Sequence, residues 1–182
     1  YDNTRNRGQS EGYNGMEELP FVNIGQGQTA TAVSAGKDHT CIILTDGSLK
    51  CWGANDRGQL GYDSVNYAGD GRTASTRMAD LPTIDLGTGR TVLAVSAGGE
   101  HTCAIWDTSD LKCWGYGLYG RLGYDSEDYV GNGTGIRLAL VAPVFVGAGV
   151  FVASISTGRS HTCAVLDNAE FICWGYGVFG RL

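Results

Sequence analysis

The feature that most constrains this chain is a threefold internal repeat with a cysteine pair in every copy. Ser34-Ala35-Gly36-Lys37-Asp38-His39-Thr40-Cys41, followed by Cys51-Trp52-Gly53, returns as Ser96-Ala97-Gly98-Gly99-Glu100-His101-Thr102-Cys103 with Cys113-Trp114-Gly115. It returns again as Ser156-Thr157-Gly158-Arg159-Ser160-His161-Thr162-Cys163 with Cys173-Trp174-Gly175. The histidines stand 62 and 60 residues apart. Gly58-Gln59-Leu60-Gly61-Tyr62-Asp63 matches Gly120-Arg121-Leu122-Gly123-Tyr124-Asp125, and Gly180-Arg181-Leu182 starts a third copy. Leu19-Pro20-Phe21-Val22 corresponds to Leu81-Pro82-Thr83-Ile84 and to Ala142-Pro143-Val144-Phe145. The units are Tyr1–Gly61, Tyr62–Gly123 and Tyr124–Leu182, together one continuous repeat domain or a piece of one. A fixed period of this length means one supersecondary unit per repeat, stacked on its neighbours to bury a shared core.

Within a unit the pattern predicts four short strands: Phe21–Ile24, Thr31–Ala35, His39–Leu44 and Ser48–Trp52. Asp46-Gly47 marks a hairpin turn between the last two. The run Thr40–Leu44 is apolar on both faces, as a strand between two neighbours should be. The 29 glycines, set among aromatic and β-branched residues with only three prolines, fit strands joined by tight turns and exclude collagen. Asp63–Asp80, and the polar stretches after Tyr1 and Tyr124, read as long surface loops. The fold class is therefore all-β.

Each cysteine pair has nine residues between its members. If the hairpin turns at Asp46, Cys41 and Cys51 face one another on adjacent strands at about 4.5–5.5 Å, within disulfide reach. The same holds for Cys103 with Cys113 around Thr108 and for Cys163 with Cys173 around Asn168. A bridge over so short a loop contributes about 3 kcal/mol in the chain-entropy model. It implies an oxidising compartment: secreted, cell-surface or periplasmic. The rival reading is zinc on His39, Cys41 and Cys51, but no fourth ligand is evident.

These units resemble the regulator of chromosome condensation repeat family. The resemblance rests on Ala35-Gly36, His39-Thr40-Cys41-Ile42-Ile43-Leu44, Asp46-Gly47, Trp52-Gly53 and Asn55-Asp56-Arg57-Gly58-Gln59-Leu60-Gly61. It implies one four-stranded blade per unit, either in a closed β-propeller, typically seven-bladed, or in an open superhelical or filamentous array. The paired cysteines look like an extracellular variant. The units are longer than usual because of the Tyr-Asp loops, and closure of a ring needs at least four blades. Functions in the family include nucleotide exchange on a nuclear GTPase and, in secreted bacterial relatives, β-lactamase inhibition; neither transfers by repeat identity alone.

The site candidates are few. His39, His101 and His161 recur in phase, so they are read as packing residues whose imidazoles bond carbonyls of a neighbouring turn; a catalytic set is unique, not triplicated. Trp52, Trp114 and Trp174 are read as core anchors, and the unrepeated Trp106 as a core substitution. Gly8-Gln9-Ser10-Glu11-Gly12 matches a nucleophile-elbow pattern but lacks the flanking strand and helix. The chain is thus expected to be no enzyme. Asp63, Asn66 and Asp70 recur as Asp125, Asp128 and Asn132, a weak calcium pattern in Gly-rich loops, though Asp and Asn are also ordinary turn formers. No other cofactor is expected. Asn132-Gly133-Thr134 is the one N-glycosylation sequon. Tyr116, Tyr119, Tyr129, Tyr176 and Phe179 add aromatic surface for a glycan or protein partner.

The net charge of −6 and scattered basic residues exclude nucleic acid as an expected partner. The longest apolar stretch, Leu138–Ala153, is broken by Pro143, Gly147 and Gly149, so no membrane insertion is expected. The opening Tyr1-Asp2-Asn3-Thr4-Arg5 is not a signal peptide and reads as a mature or excised start. Two functions follow. In the first, the chain is a tile of an extracellular fibre assembled head to tail, because one glycine after Leu182 would restore the Leu-Gly-Tyr junction to another Tyr1. In the second, it is part of a secreted closed propeller that binds a protein or glycan through its loops.

Overall fold

The computed structural model describes residue 16 and residues 19–73, 76–87 and 89–182. The pairing of Tyr1-Asp2 with the later Tyr-Asp loops, and Gly8–Gly12, lie outside the described residues. Among the described residues there are nine strands: β1 (Ala30–Ala35), β2 (His39–Leu44), β3 (Leu49–Gly53), β4 (Val92–Ala97), β5 (His101–Trp106), β6 (Leu111–Gly115), β7 (Val152–Thr157), β8 (His161–Leu166) and β9 (Phe171–Gly175). They form three separate antiparallel sheets, β1-β2-β3, β4-β5-β6 and β7-β8-β9. Each sheet is one blade, and the all-β class is as the sequence predicts.

The hairpins follow from local chemistry. Gly47 takes the left-handed conformation at the β2–β3 turn (φ 79°), and Ser109 and Ala169 adopt it at the same place in the next blades (φ 60° and 66°). That turn sets a register in which Cys41 faces Cys51, Cys103 faces Cys113, and Cys163 faces Cys173. All three pairs are closed as disulfides, with S–S distances of 2.05–2.10 Å.

The expected strand at Phe21–Ile24 is where sequence and structure part. No sheet has a fourth regular strand among the described residues. In the second unit, Leu81–Leu86 runs as extended chain and makes one main-chain bond, Ile84 N–H to Leu49 O, 2.8 Å. In the third unit, Val144 N–H donates to Leu111 O at 2.7 Å. The physical reason is twofold. A proline near the start of each segment removes a ladder donor, and the partner edge belongs to the preceding unit, not to the segment's own. Val144, not Phe145, takes the place of Ile84: Val144 is buried, and Phe145 is exposed.

Neighbouring blades are stitched at the inner strands too. Ser34 Oγ accepts Ala97 N–H and Ser96 Oγ accepts Thr157 N–H, both at 2.9 Å. Lys37 N–H donates to Gly98 O at 3.0 Å, and Gly99 N–H to Gly158 O at 3.3 Å. Between the blades lies one apolar core containing Leu49, Leu60, Ile84, Ile105, Leu111, Trp114, Leu122 and Leu138. The connector motif Leu60-Gly61-Tyr62-Asp63 has a duty at each position. Leu60 is buried. Gly61 is left-handed (φ 82°), and a Cβ there would lie 2.8 Å from Trp114 Nε1. Tyr62 covers the exposed edge of β3: its hydroxyl donates to Cys51 O (3.0 Å) and accepts from Cys51 N–H (3.3 Å). Asp63 reaches the next unit, accepting Leu138 N–H at 3.0 Å and Arg137 Nε at 3.3 Å.

Candidate functional site: the blade-to-blade relay

The three in-phase residue types, His, Thr and Trp, converge at the junctions between blades. His39 Nε2 lies 2.8 Å from Thr102 Oγ1, one blade on. That hydroxyl donates to Gln59 O at 2.8 Å, and the same carbonyl accepts Trp114 Nε1–H at 3.0 Å. The second junction repeats the set: His101 Nε2 to Thr162 Oγ1 at 2.9 Å, Thr162 Oγ1 to Arg121 O at 2.9 Å, Trp174 Nε1 to Arg121 O at 3.0 Å. The preceding blade supplies the imidazole and a carbonyl. The following blade supplies the hydroxyl and the indole. The imidazoles therefore bond a threonine hydroxyl, not the turn carbonyls expected from sequence; the threonine passes the bond on to a carbonyl.

This geometry fixes the protonation of the ring. A threonine hydroxyl has one hydrogen, and here the carbonyl takes it. Nε2 of the histidine is then the donor, and Nδ1 carries the lone pair. Nδ1 of His39, His101 and His161 is buried with no hydrogen-bond partner among the described residues. It faces a glycine in each case: a Cβ on Gly36, Gly98 or Gly158 would lie 2.5–2.9 Å from Nδ1. A second proton has no acceptor there, and burial pushes His39 down to about 4 and His101 to about 3. The Asp38 charge opposes the shift at His39, and the Arg121 charge adds to it at His101. The His39 and His101 rings, neutral and locked in one tautomer, serve as fixed hydrogen-bond donors.

Trp114 is fully buried, whereas Trp52 and Trp174 are half-buried. Trp106 is buried in the core beside two cations, 4.6 Å from Lys112 Nζ and 5.4 Å from the Arg90 guanidinium. Lys112 Nζ also donates to Leu86 O (3.2 Å), Leu138 O (2.9 Å) and Ala139 O (3.4 Å), tying β6 to segments of two units. Burial holds this ammonium below its ordinary range.

The loops after each Trp-Gly carry a second contact layer that sequence reasoning listed only as loose aromatics. Arg57 lies over Tyr116 at 4.9 Å, and Arg121 over the same ring at 4.7 Å. Tyr116 packs on Tyr129 at 5.1 Å, and Tyr119 stacks on Tyr176 at 4.4 Å. Arg181 lies over Tyr176 and Phe179 at 5.3 and 5.5 Å. The signal for this layer was Arg57, Arg121 and Arg181, whose ring neighbours only the fold reveals.

The calcium pattern is dispersed. Asp63 clamps the next unit as described, and Asp70 pairs with Arg72 at 3.3 Å. Asn66 is held through its main chain, its carbonyl accepting Asn55 Nδ2. Asp125 and Asp128 are exposed on the loop of the third unit. Among the described residues, no three His, Cys, Asp or Glu side chains are grouped to hold a metal ion. Asn132 is half-exposed, and its Oδ1 accepts Thr134 N–H and Gly135 N–H. A recess of about 400 Å³ opens where Gly36, Gly98 and Gly158 meet Lys37 and Arg159; the histidine rings do not line it. No helix among the described residues is long and apolar enough to cross a membrane.

Comparison with known proteins matches this arrangement to one family. Models of the regulator of chromosome condensation (RCC1) repeat match residues 30–59, 92–121 and 152–181, and a second model of that repeat matches 46–105. Each short match starts at the innermost strand of a blade. The ultraviolet-B receptor UVR8 of Arabidopsis thaliana is 28% identical over 151 residues, covering 82% of this chain and 30% of the receptor. The human E3 ubiquitin-protein ligase HERC2 is 30% identical over 152 residues, covering 83% of this chain and 3% of the ligase. The chain thus spans less than a third of the length of these relatives. Among solved structures, human WBSCR16 superposes with a TM-score of 0.62 at 20% identity, over 83% of this chain and 35% of that one. Yeast RCC1 (Prp20), solved bound to Kap60, superposes at 0.57 and 21% identity, over 81% and 32%. The chain belongs to the regulator of chromosome condensation repeat family and is built of its β-propeller blades.

Proposed function

We propose that this chain is a non-enzymatic, extracellular interaction module whose partner is another blade of its own kind, joined end to end through the two open blade faces. The observation that carries this reading is the relay. Its two halves, joined at both internal junctions, stand apart at the ends. The last blade offers His161 Nε2 and the carbonyl of Arg181; the first offers the Thr40 hydroxyl and the Trp52 indole. None of these four groups has a hydrogen-bond partner among the described residues. A contact that uses different surfaces on its two sides propagates into a filament unless rotation closes it into a ring. The three disulfides support an oxidising compartment, outside the cell, for such an assembly.

A second reading is favoured by Ala54, which stands on the first blade where Tyr116 and Tyr176 stand on the others. A neighbour for the Phe179 ring would then be a tyrosine-bearing repeat of a larger closed propeller, of which this chain is a part. Electron microscopy of the native material distinguishes them. Fibres repeating at the length of three blades support the tile, and closed discs of blades support the propeller. Dispersed particles of three blades, at concentrations up to the millimolar range, would overturn end-to-end association altogether.

A further inference from the structure

One motif of the sequence plays no part in the junctions: Asn132-Gly133-Thr134, in the loop between β6 and β7. The loop is held at both ends. Val130 bridges Gly115 at the end of β6, and Gly131 N–H donates to Ile136 O at 2.8 Å. Asp63 takes Leu138 N–H at 3.0 Å. The main chain of Asn132 packs on the loop that follows β3, where a Cβ on Gly58 would lie 2.7 Å from Asn132 Cα. The tip is in water: Gly133, Thr134, Gly135 and Ile136 are exposed.

The Asn132 side chain divides its two ends between fold and solvent. Oδ1 accepts Thr134 N–H at 3.1 Å and Gly135 N–H at 3.0 Å. Two N–H donors facing one atom identify it as the oxygen, so the other atom is the nitrogen. Nδ2 makes no hydrogen bond among the described residues, and the residue is half-exposed. Asn55 and Asn168 differ. Asn55 Nδ2 donates to Ser64 O and Asn66 O, both at 2.9 Å, and Asn168 Nδ2 donates to Glu170 at 2.9 Å. The turn itself needs only the acceptor. In the second unit Asp70 fills the same place, its Oδ1 accepting Arg72 N–H at 3.1 Å across the left-handed Gly71 (φ 65°), as Gly133 is left-handed here (φ 81°). Asp70-Gly71-Arg72 becomes Asn132-Gly133-Thr134, and the two changes together make an acceptor sequence. The Thr134 hydroxyl is also without a hydrogen bond among the described residues.

We infer that Asn132 carries an N-linked glycan, transferred from an oligosaccharide borne on a lipid pyrophosphate. Nδ2 bonds to the anomeric carbon of the first sugar. The bond from that carbon to the pyrophosphate oxygen breaks, the lipid pyrophosphate leaves with the electron pair, and the amide gives one proton to the transferase. Nothing is oxidised or reduced. The product keeps Oδ1 free to accept, so the turn survives the modification. The inference rests on the secreted, oxidising setting proposed above, because glycosylated sequons belong to surface loops of secreted proteins. The glycan stands on the side of the blades where β3 and β6 end, away from the hairpin turns, and its bulk and hydration keep that loop in water.

The test reads Asn132 in the native protein. Peptides prepared without reduction are treated with peptide N-glycosidase in heavy-oxygen water, which turns a glycosylated asparagine into labelled aspartate. Most of the Asn132 peptide should carry the label. Recovery of that peptide as unlabelled asparagine, from protein with its three disulfides intact, would overturn the glycan and leave the compartment standing. Free thiols at the six cysteines would overturn both. Expression through a eukaryotic secretory pathway gives a second arm. Asn132→Asp and Thr134→Ala should each abolish the glycan and melt with the enzymatically deglycosylated wild type, since both keep the acceptor oxygen of the turn. Thr134→Ser should keep the glycan. A glycan that persists in Thr134→Ala, or a wild type secreted without one, would overturn the assignment.

Discussion

Replacing Thr102 by valine isolates the relay from everything else at the junction. Valine has the shape of threonine, so no cavity opens and no backbone moves. The carbonyl of Gln59 loses one donor but keeps Trp114 Nε1 at 3.0 Å. The cost therefore falls on His39. Its Nε2–H loses its acceptor, and moving the proton to Nδ1 gives no relief, because that nitrogen is buried without a partner. Whichever tautomer forms, one buried donor is left unsatisfied, a penalty of about 1–3 kcal/mol. Near the middle of that range the melting temperature should drop by roughly 4–8 °C for a domain of this size. Thr40→Val is the control. It is the same substitution at the same repeat position, but on a face with no preceding blade among the described residues, and its effect should stay within about 0.5 kcal/mol. The measurement is urea and thermal unfolding of both variants under non-reducing conditions, at a concentration too low for assembly. Equal losses in the two variants, or no loss at Thr102, would refute the assignment of the threonine as the link between ring and carbonyl.

Two further outcomes follow from the same junctions. His39 and His101 are held neutral in the folded state, pushed down to about 4 and about 3 from an ordinary value of 6.5. Below pH 6.5 the unfolded chain takes up protons that the folded chain refuses, so stability should be full above pH 6.5 and fall as pH drops toward 4. At about 1.4 kcal/mol per unit of depression, His39 alone removes roughly 3 kcal/mol by pH 4; urea midpoints that do not change across this window would contradict the buried neutral rings. Cys163 and Cys173 are half-exposed on the open face, whereas the other four cysteines are fully buried. Limited phosphine reduction followed by alkylation and peptide mass spectrometry should label Cys163 and Cys173 first, and simultaneous labelling of Cys103 and Cys113 would show that the blades open together.

What was legible in the sequence was the local part. The Asp46-Gly47 turn and the nine-residue spacing of Cys41 and Cys51 both belong to one hairpin, and that hairpin was readable from its own residues. Phe21–Ile24 was not, because its partner edge lies in a different unit and a proline at its start weakens the strand signal. Sequence alignment placed Phe145 opposite Ile84; only burial shows that Val144 fits the pocket. Asp63 belonged to a weak cation pattern, since a carboxylate that clamps a main-chain N–H seventy-five residues away looks the same in sequence as one awaiting a metal. The threonine after each histidine was visible three times, yet its role needs a second blade beside it. Arg121, buried beside Tyr116, was hidden for the opposite reason: a charged residue in a glycine-rich loop is normally read as solvated.

The outer segment that each unit lays on the blade before it bears on how such a chain can lengthen. Sequence period and structural blade are out of step, so a gene duplication of one period, wherever its breakpoints fall, inserts one edge and one covering segment together. The added length never creates a new kind of terminus. An array built this way can grow or shrink by whole repeats during evolution, each new edge arriving with the segment that covers it.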